Sequence, residues 1–175
     1  MDYIGKPESK SPSNCSDAEI ADFMVLVLAG GEVTQQGLEN RVRSAVRLSF
    51  LREGESLVGV AALKRPNSEY RSSVASMAGF ALPSSNFPYE LGWVFILPSA
   101  RGKKYSLLIS KALLASAGTE GVFATSRADN PLMHRTLGKL GFSSSGNAYS
   151  SRRGGYKLQL FVREPPIGYF LTIDG

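Results

Sequence analysis

With one cysteine, Cys15, and one histidine, His134, among 175 residues, this chain has no internal disulfide and cannot assemble a Cys/His zinc cluster. No metal is expected. Cys15 stands in the polar stretch KPESKSPSNCSD, a poor setting for a catalytic thiol. Long apolar runs are lacking too. FMVLVLA, seven residues, falls far short of the roughly 20 that span a bilayer. Asp17, Glu19 and Asp22 stand before it, where a signal peptide would be basic. A membrane partner is not expected; a cytoplasmic location is. The charge is +5 but dispersed, with small clusters only at Arg101, Lys103 and Lys104 and at Arg152 and Arg153. Nucleic acid is therefore not the expected partner, although Arg152, Arg153 and Tyr156 form a candidate basic patch.

What is present fits one α/β domain. Residues 1–16, rich in Ser, Pro and Lys without apolar periodicity, read as a flexible arm. Residues 17–163 carry the domain and 164–175 a tail. Ser16 is placed to cap a helix over DAEIADFMVLVLA that stops at Gly30 and Gly31. A second helix is expected after Thr34, with Leu38, Val42 and Val46 on one face. The sequence then predicts a hairpin, one strand over 46–52 and another over 56–63, and a short helix around EYRSSVASM. YELGWVFI reads as a buried strand ended by Pro98. KKYSLLISKALLASAG is expected as a helix, GVFATSR as a strand, NPLMHRTLGKLGF as a helix opened by Pro131, and YKLQLFVR as the last strand. No strand is visible before the first helix.

Two places carry candidate chemistry. Strict alternation along YELGWVFI puts Glu90, Gly92, Val94 and Ile96 on one face and Tyr89, Leu91, Trp93 and Phe95 on the other. A carboxylate on a buried strand is costly unless paired, facing a cavity or functional. Beside it Gly92 leaves an open surface. The second place is RGKKYS, where a strand turns through a proline into a helix. The first amides there have no intrahelical partner and the helix dipole favours an anion, although the GxxxxGK[ST] spacing of a triphosphate P-loop is missing.

Read together, ELGWVFILPSARGKKYSLLISKALL and GVFATSRADNPLMHRTLGKLGF resemble the GNAT superfamily of N-acetyltransferases. In that family an Arg/Gln-x-x-Gly-x-Gly/Ala loop follows a strand and a proline, and an asparagine opens a later helix that a Gly-Phe pair closes. Here those residues are Arg101 to Ser106, Asn130, Gly141 and Phe142. The resemblance covers roughly residues 57–163. It implies a single-domain GNAT-like fold: a mixed, mostly antiparallel sheet flanked by helices, with a parallel pair splayed at the cofactor site. It implies acetyl-coenzyme A as co-substrate. The backbone of Val94, Phe95 and Ile96 would pair with the pantetheine arm, Arg101 would open the pyrophosphate loop, and the amides of Gly102, Lys103, Lys104, Tyr105 and Ser106 would take the phosphates. Asn130 would bond the pantetheine or merely cap its helix.

Two departures stand out. Lys104 and Ser106 occupy the small-residue positions of the loop. If Lys104 is helical, its stem leans toward the phosphates, either crowding them or bringing a charge. Leu137 stands where many members have a tyrosine that reprotonates the leaving thiolate, with His134 one turn away as a substitute or a packing residue; Thr125 replaces a carboxylate. The expected activity is direct acetyl transfer to a primary amine with Glu90 as general base and His134 as the candidate acid. The alternative is a non-catalytic GNAT-fold binding module. The acceptor amine is not named by the sequence, and pairing of terminal strands into a homodimer is open.

Overall fold

The computed structural model describes residues 5–166. Within them five α-helices and seven strands alternate along the chain. The first helix, α1 (Asp17–Ala29), opens on a reciprocal cap: the Ser16 hydroxyl accepts from the Glu19 amide at 3.1 Å, and the Ser16 amide donates to Glu19 Oε1 at 3.0 Å. Such caps contribute about 1 kcal/mol. Ile20, Phe23, Leu26 and Val27 form the buried stripe of α1. The second helix, α2, covers only Leu38–Arg43. Gly37 opens it with φ 70°, and Val46 is not part of it, since the Val46 amide donates to the Leu63 carbonyl at the edge of the sheet. Helical spacing alone carried the expected helix one turn too far.

The strands are β1 (Glu8–Lys10), β2 (Arg47–Glu53), β3 (Ser56–Lys64), β4 (Tyr89–Ile96), β5 (Val122–Arg127), β6 (Ser143–Ser150) and β7 (Lys157–Arg163). They form one sheet in the order β1-β2-β3-β4-β5-β7-β6. Every neighbouring pair is antiparallel except β4 and β5, which are parallel. Three further helices complete the fold: α3 (Ser68–Ala78), α4 (Tyr105–Ala117) and α5 (Pro131–Lys139).

Two expectations are corrected here. Part of the supposed flexible arm belongs to the sheet: Glu8, Ser9 and Lys10 pair with Phe50, Ser49 and Leu48. Lys10 also pairs with Glu8 and Glu19, tying β1 to the cap of α1. A side chain at Gly5 would collide with the Arg52 carbonyl oxygen. Residues 1–4 and 167–175, most of the expected tail, lie outside the described residues. The strand β6, SSSGNAYS, went unread because only Tyr149 in it is buried, so it lacks the apolar alternation that marks a strand.

Helices α4 and α5 cover one face, around Leu63, Leu91, Ile109, Leu113 and Leu137. On the other face α1 and α2 pack over Leu48, Phe50, Val60 and Ala62, while α3 packs over Phe123, Leu160 and Val162. Glu90, paired across to Lys64 on one side and Phe123 on the other, sits at the seam between these last two apolar patches.

Candidate active site

The two ladders flanking β4 behave differently. Toward β5 it pairs only at Tyr89 with Val122 and Glu90 with Phe123; beyond Glu90 the parallel strands part. Toward β3 it pairs almost throughout, but Ala62 faces Gly92 while Val60 faces Phe95. One extra residue is therefore inserted in β4, and Trp93 takes φ 52°. This is a β-bulge. It shifts the face of every later side chain. Glu90 and Gly92 share their face with Phe95, not with Val94 and Ile96 as strict alternation required. Phe95 and Trp93 pack in the α1 patch, and Val94 and Ile96 in the α4 core.

The same bulge sets the backbone. The Leu97 amide donates to Val58 of β3 at 2.8 Å. Alternation then turns the polar groups of Phe95 to β3 and those of Val94 and Ile96 to the side from which β5 has departed. The Ile96 carbonyl there accepts from Arg101 Nε at 2.9 Å. An extended ligand could pair with the rest of this edge, at Val94 and the Ile96 amide, as a strand would.

At the other end of β4, Glu90 is only 4% exposed yet well partnered. Its Oε1 accepts from the Tyr70 hydroxyl at 2.9 Å, and its Oε2 lies 3.3 Å from Lys64 Nζ. The Lys64 ammonium is also 4.5 Å from the centre of the Trp93 ring, a favourable cation–π distance. Gly92 does not leave an opening: the Lys64 stem fills the space, its Cε 2.6 Å from where a Cβ would stand. Although Tyr70 is 39% exposed, desolvation of its hydroxyl end against Glu90, and then the charge of Glu90, hold it well above its ordinary pKa, so it stays a donor. The same two causes push Tyr149 up to about 12. Buried Arg71 positions the group, donating to the carbonyls of Leu82, Phe87 and Pro88 in the segment that leads into β4.

In RGKKYS, Gly102 has φ 82° and Lys104 φ 61°. Lys104 is the N-cap of α4 in the left-handed conformation, which a non-glycine residue adopts at a cost of about 1–2 kcal/mol. It is not the helical residue whose stem leans on the phosphates. Among the described residues the amides of Gly102, Lys104 and Ser106 have no backbone acceptor, whereas Arg101 donates to Pro98 and Leu108 to Lys104. The loop is braced from β2, where Glu53 accepts from Lys103 Nζ at 2.7 Å and from the Tyr105 hydroxyl at 2.8 Å. These partners, Lys103 first, hold the Glu53 carboxyl below its ordinary pKa.

Downstream, Asn130 caps α5, its Oδ1 accepting from the Met133 amide at 3.1 Å. The Nε2 of His134 bonds the Arg127 carbonyl at 2.9 Å, and its ring lies 4.8 Å from that of Phe161. Nε2 thus carries the ring proton and spends it on the backbone. Leu137 is fully buried in the core between α5 and α4. In the candidate basic patch, Tyr156 donates to Glu32 and its ring is covered by the Arg127 guanidinium 4.1 Å away.

Sequence reasoning singled out Glu90 and the loop but not Lys64, Tyr70 and Tyr149, which the structure gathers around the carboxylate. Lys64 stood just past the strand expected over 56–63, and Tyr70 within the short helix expected around EYRSSVASM. Among the described residues no group of His, Cys, Asp and Glu is arranged to hold a metal ion, and no helix is long and apolar enough to cross a membrane.

No family model matches the sequence, and no curated protein sequence matches it. Solved structures do. A GNAT-family acetyltransferase from Streptococcus agalactiae superposes with a TM-score of 0.62 at 13% identity, covering 94% of this chain and 98% of that one. The chain has the GNAT acetyltransferase fold. ElaA from Escherichia coli shares this GNAT-like architecture at TM-score 0.68 and 14% identity, over 92% of this chain and all of that one. An acyl-CoA N-acyltransferase from Pseudomonas aeruginosa does so at 0.64 and 13%, over 90% and 97%.

Proposed function

We propose that this chain is a cytoplasmic acetyl-coenzyme A-dependent N-acetyltransferase acting on a primary amine. The observation that carries this reading is the bulge at Trp93. Together with the parting of β5 beyond Glu90 it leaves a backbone edge at Val94 and Ile96, on the strand that carries the buried carboxylate of Glu90 and leads into the RGKKYS loop. The fit to coenzyme A rests on the amides of Gly102, Lys104 and Ser106, which have no backbone acceptor among the described residues and stand at the positive end of a 13-residue helix. Lys104, by taking the left-handed conformation, does what a glycine would do, and its ammonium adds charge for a phosphate. Asn130 can cap α5 through Oδ1 and offer its amide nitrogen to the pantetheine.

When bound, the thioester supplies the acetyl group. Val94 and Ile96 hold the carrier and their amides polarise the acyl carbonyl. Glu90, oriented by Tyr70 and Lys64, takes the proton of the attacking ammonium, directly or through a water. Much of the acceleration comes from holding two reactants together. His134 contributes packing and a fixed Arg127 carbonyl in place of an acid.

The buried Leu137 and the engaged His134 favour a second reading, a GNAT-fold binding module without turnover. Titrating acetyl-coenzyme A by calorimetry separates both from an unrelated role: micromolar binding is expected, and no heat and no thermal shift would sink the proposal. Acetyl transfer across a panel of amines then separates enzyme from module.

A further inference from the structure

Under the proposed reading, the acceptor ammonium belongs beside Glu90, near the amides that follow the bulge. In this protein a cation already stands there. Lys64 Nζ is 3.3 Å from Glu90 Oε2 and 4.5 Å from the Trp93 ring centre, and its stem runs over Gly92. Its side chain is 20% exposed, so it is held without being sealed from solvent. The arrangement has the parts an acceptor site needs: a carboxylate as base, an aromatic face for the cation, and no side chain at position 92 to separate the amine from the strand that holds the thioester.

We infer that Lys64 is itself an acceptor, a self-acetylation site built into the cleft, with an acyl-coenzyme A thioester as the donor. Glu90 takes one proton from the Lys64 ammonium. The freed Nζ attacks the thioester carbonyl carbon, the C–N bond forms and the C–S bond breaks. A second nitrogen proton passes to the leaving thiolate, giving Nε-acetyl-lysine, a protonated Glu90 and the coenzyme A thiol. The charges cancel: an ammonium and a carboxylate become an amide and a neutral acid. No unpaired charge is left buried, the outcome that makes breaking such pairs costly. The side chain that already lies over Gly92 would then be larger by an acetyl group and beside a protonated Glu90, so the modification would switch off transfer to external acceptors.

The inference rests on the proposed function, and one experiment separates their failures. The full chain is incubated with acetyl-coenzyme A carrying an isotopically labelled acetyl group, and acetylation is followed at each lysine by peptide mass analysis. Binding is measured in parallel by calorimetry. Expected is acetylation of Lys64 faster than at exposed Lys104, Lys111 and Lys139, abolished on heat denaturation. In Glu90→Gln it should slow about a hundredfold or more, the low end of a general base's contribution, with coenzyme A binding kept. Binding with Lys64 unmodified, or modified as fast in Glu90→Gln as in the native chain, overturns the inference and leaves the acetyltransferase reading standing. No binding at all overturns both.

Discussion

On the proposed function, the two ends of β4 do different work by different means. At its start the chemistry lies in side chains: Glu90 is gripped by Tyr70 from α3 and Lys64 from β3. At its end the chemistry lies in the backbone, where the bulge at Trp93 leaves Val94 and Ile96 with groups facing a departed neighbour. A side-chain site is specified by residue identity and is lost with one substitution. A backbone site is specified by conformation, and several residue types can occupy it provided the conformation is kept. Lys104 illustrates the second rule: at a position expected to be small, a lysine takes the left-handed conformation, φ 61°, that a glycine would take.

The largest effect is expected at the side-chain end. Glu90→Gln should lower the rate of acetyl transfer by about 10²- to 10⁴-fold while coenzyme A affinity, measured by calorimetry, stays within about twofold of the native value, since a general base acts on the proton transfer rather than on the carrier. Comparable losses of both would erase the distinction between the two ends. Next comes Leu137→Tyr, which puts a hydroxyl where many family members have one. Because Leu137 is fully buried, this overpacks the core and should destabilise the chain by about 1–3 kcal/mol in urea unfolding without raising turnover; a gain in turnover would show that the acid position still faces the cleft.

Lys104→Gly tests the backbone end. Relieving the left-handed lysine should stabilise the protein by about 1 kcal/mol. Coenzyme A should bind more weakly by less than about tenfold, because the amides stay in place and the ammonium removed is exposed, where an ion pair is worth about 1 kcal/mol or less, and the salt dependence of binding should decrease. A large loss of affinity would mean that the ammonium, not the amides, holds the phosphates. The smallest effect concerns Glu19, at the junction of β1 and α1. Its carboxyl is held below the ordinary value first by the Lys10 ammonium and then by the Ser16 amide. A lowered folded-state pKa gives stability that is complete above the ordinary carboxylate pKa and is lost as pH falls through the lowered one. An acid titration of Glu19→Gln should therefore be flatter than the native curve in that range, and identical curves would remove this pairing from the stability of the fold.

Much of the architecture was legible because local physics dictates it. Ser16 with Glu19 announced α1, Pro131 and Asn130 announced α5, and the apolar run of β3 and the alternation at the start of β7 announced strands. Both β1 and β6 were illegible for one reason: edge strands have little to bury, and their order comes from partners far away in sequence. The face of Phe95 was misread because a bulge leaves no mark in YELGWVFI beyond Gly92.

What the sequence determined by itself was the type of each central element, the place of the carboxylate and the place where the loop meets the helix, since caps, turns and periodicity act over a few residues. Tertiary structure decided what those pieces mean together. It brought Lys64 and Tyr70 to Glu90 from two other elements, parted β5 from β4, and bent Trp93 and Lys104 into left-handed conformations. These depend on contacts between distant segments, and local propensity does not encode them.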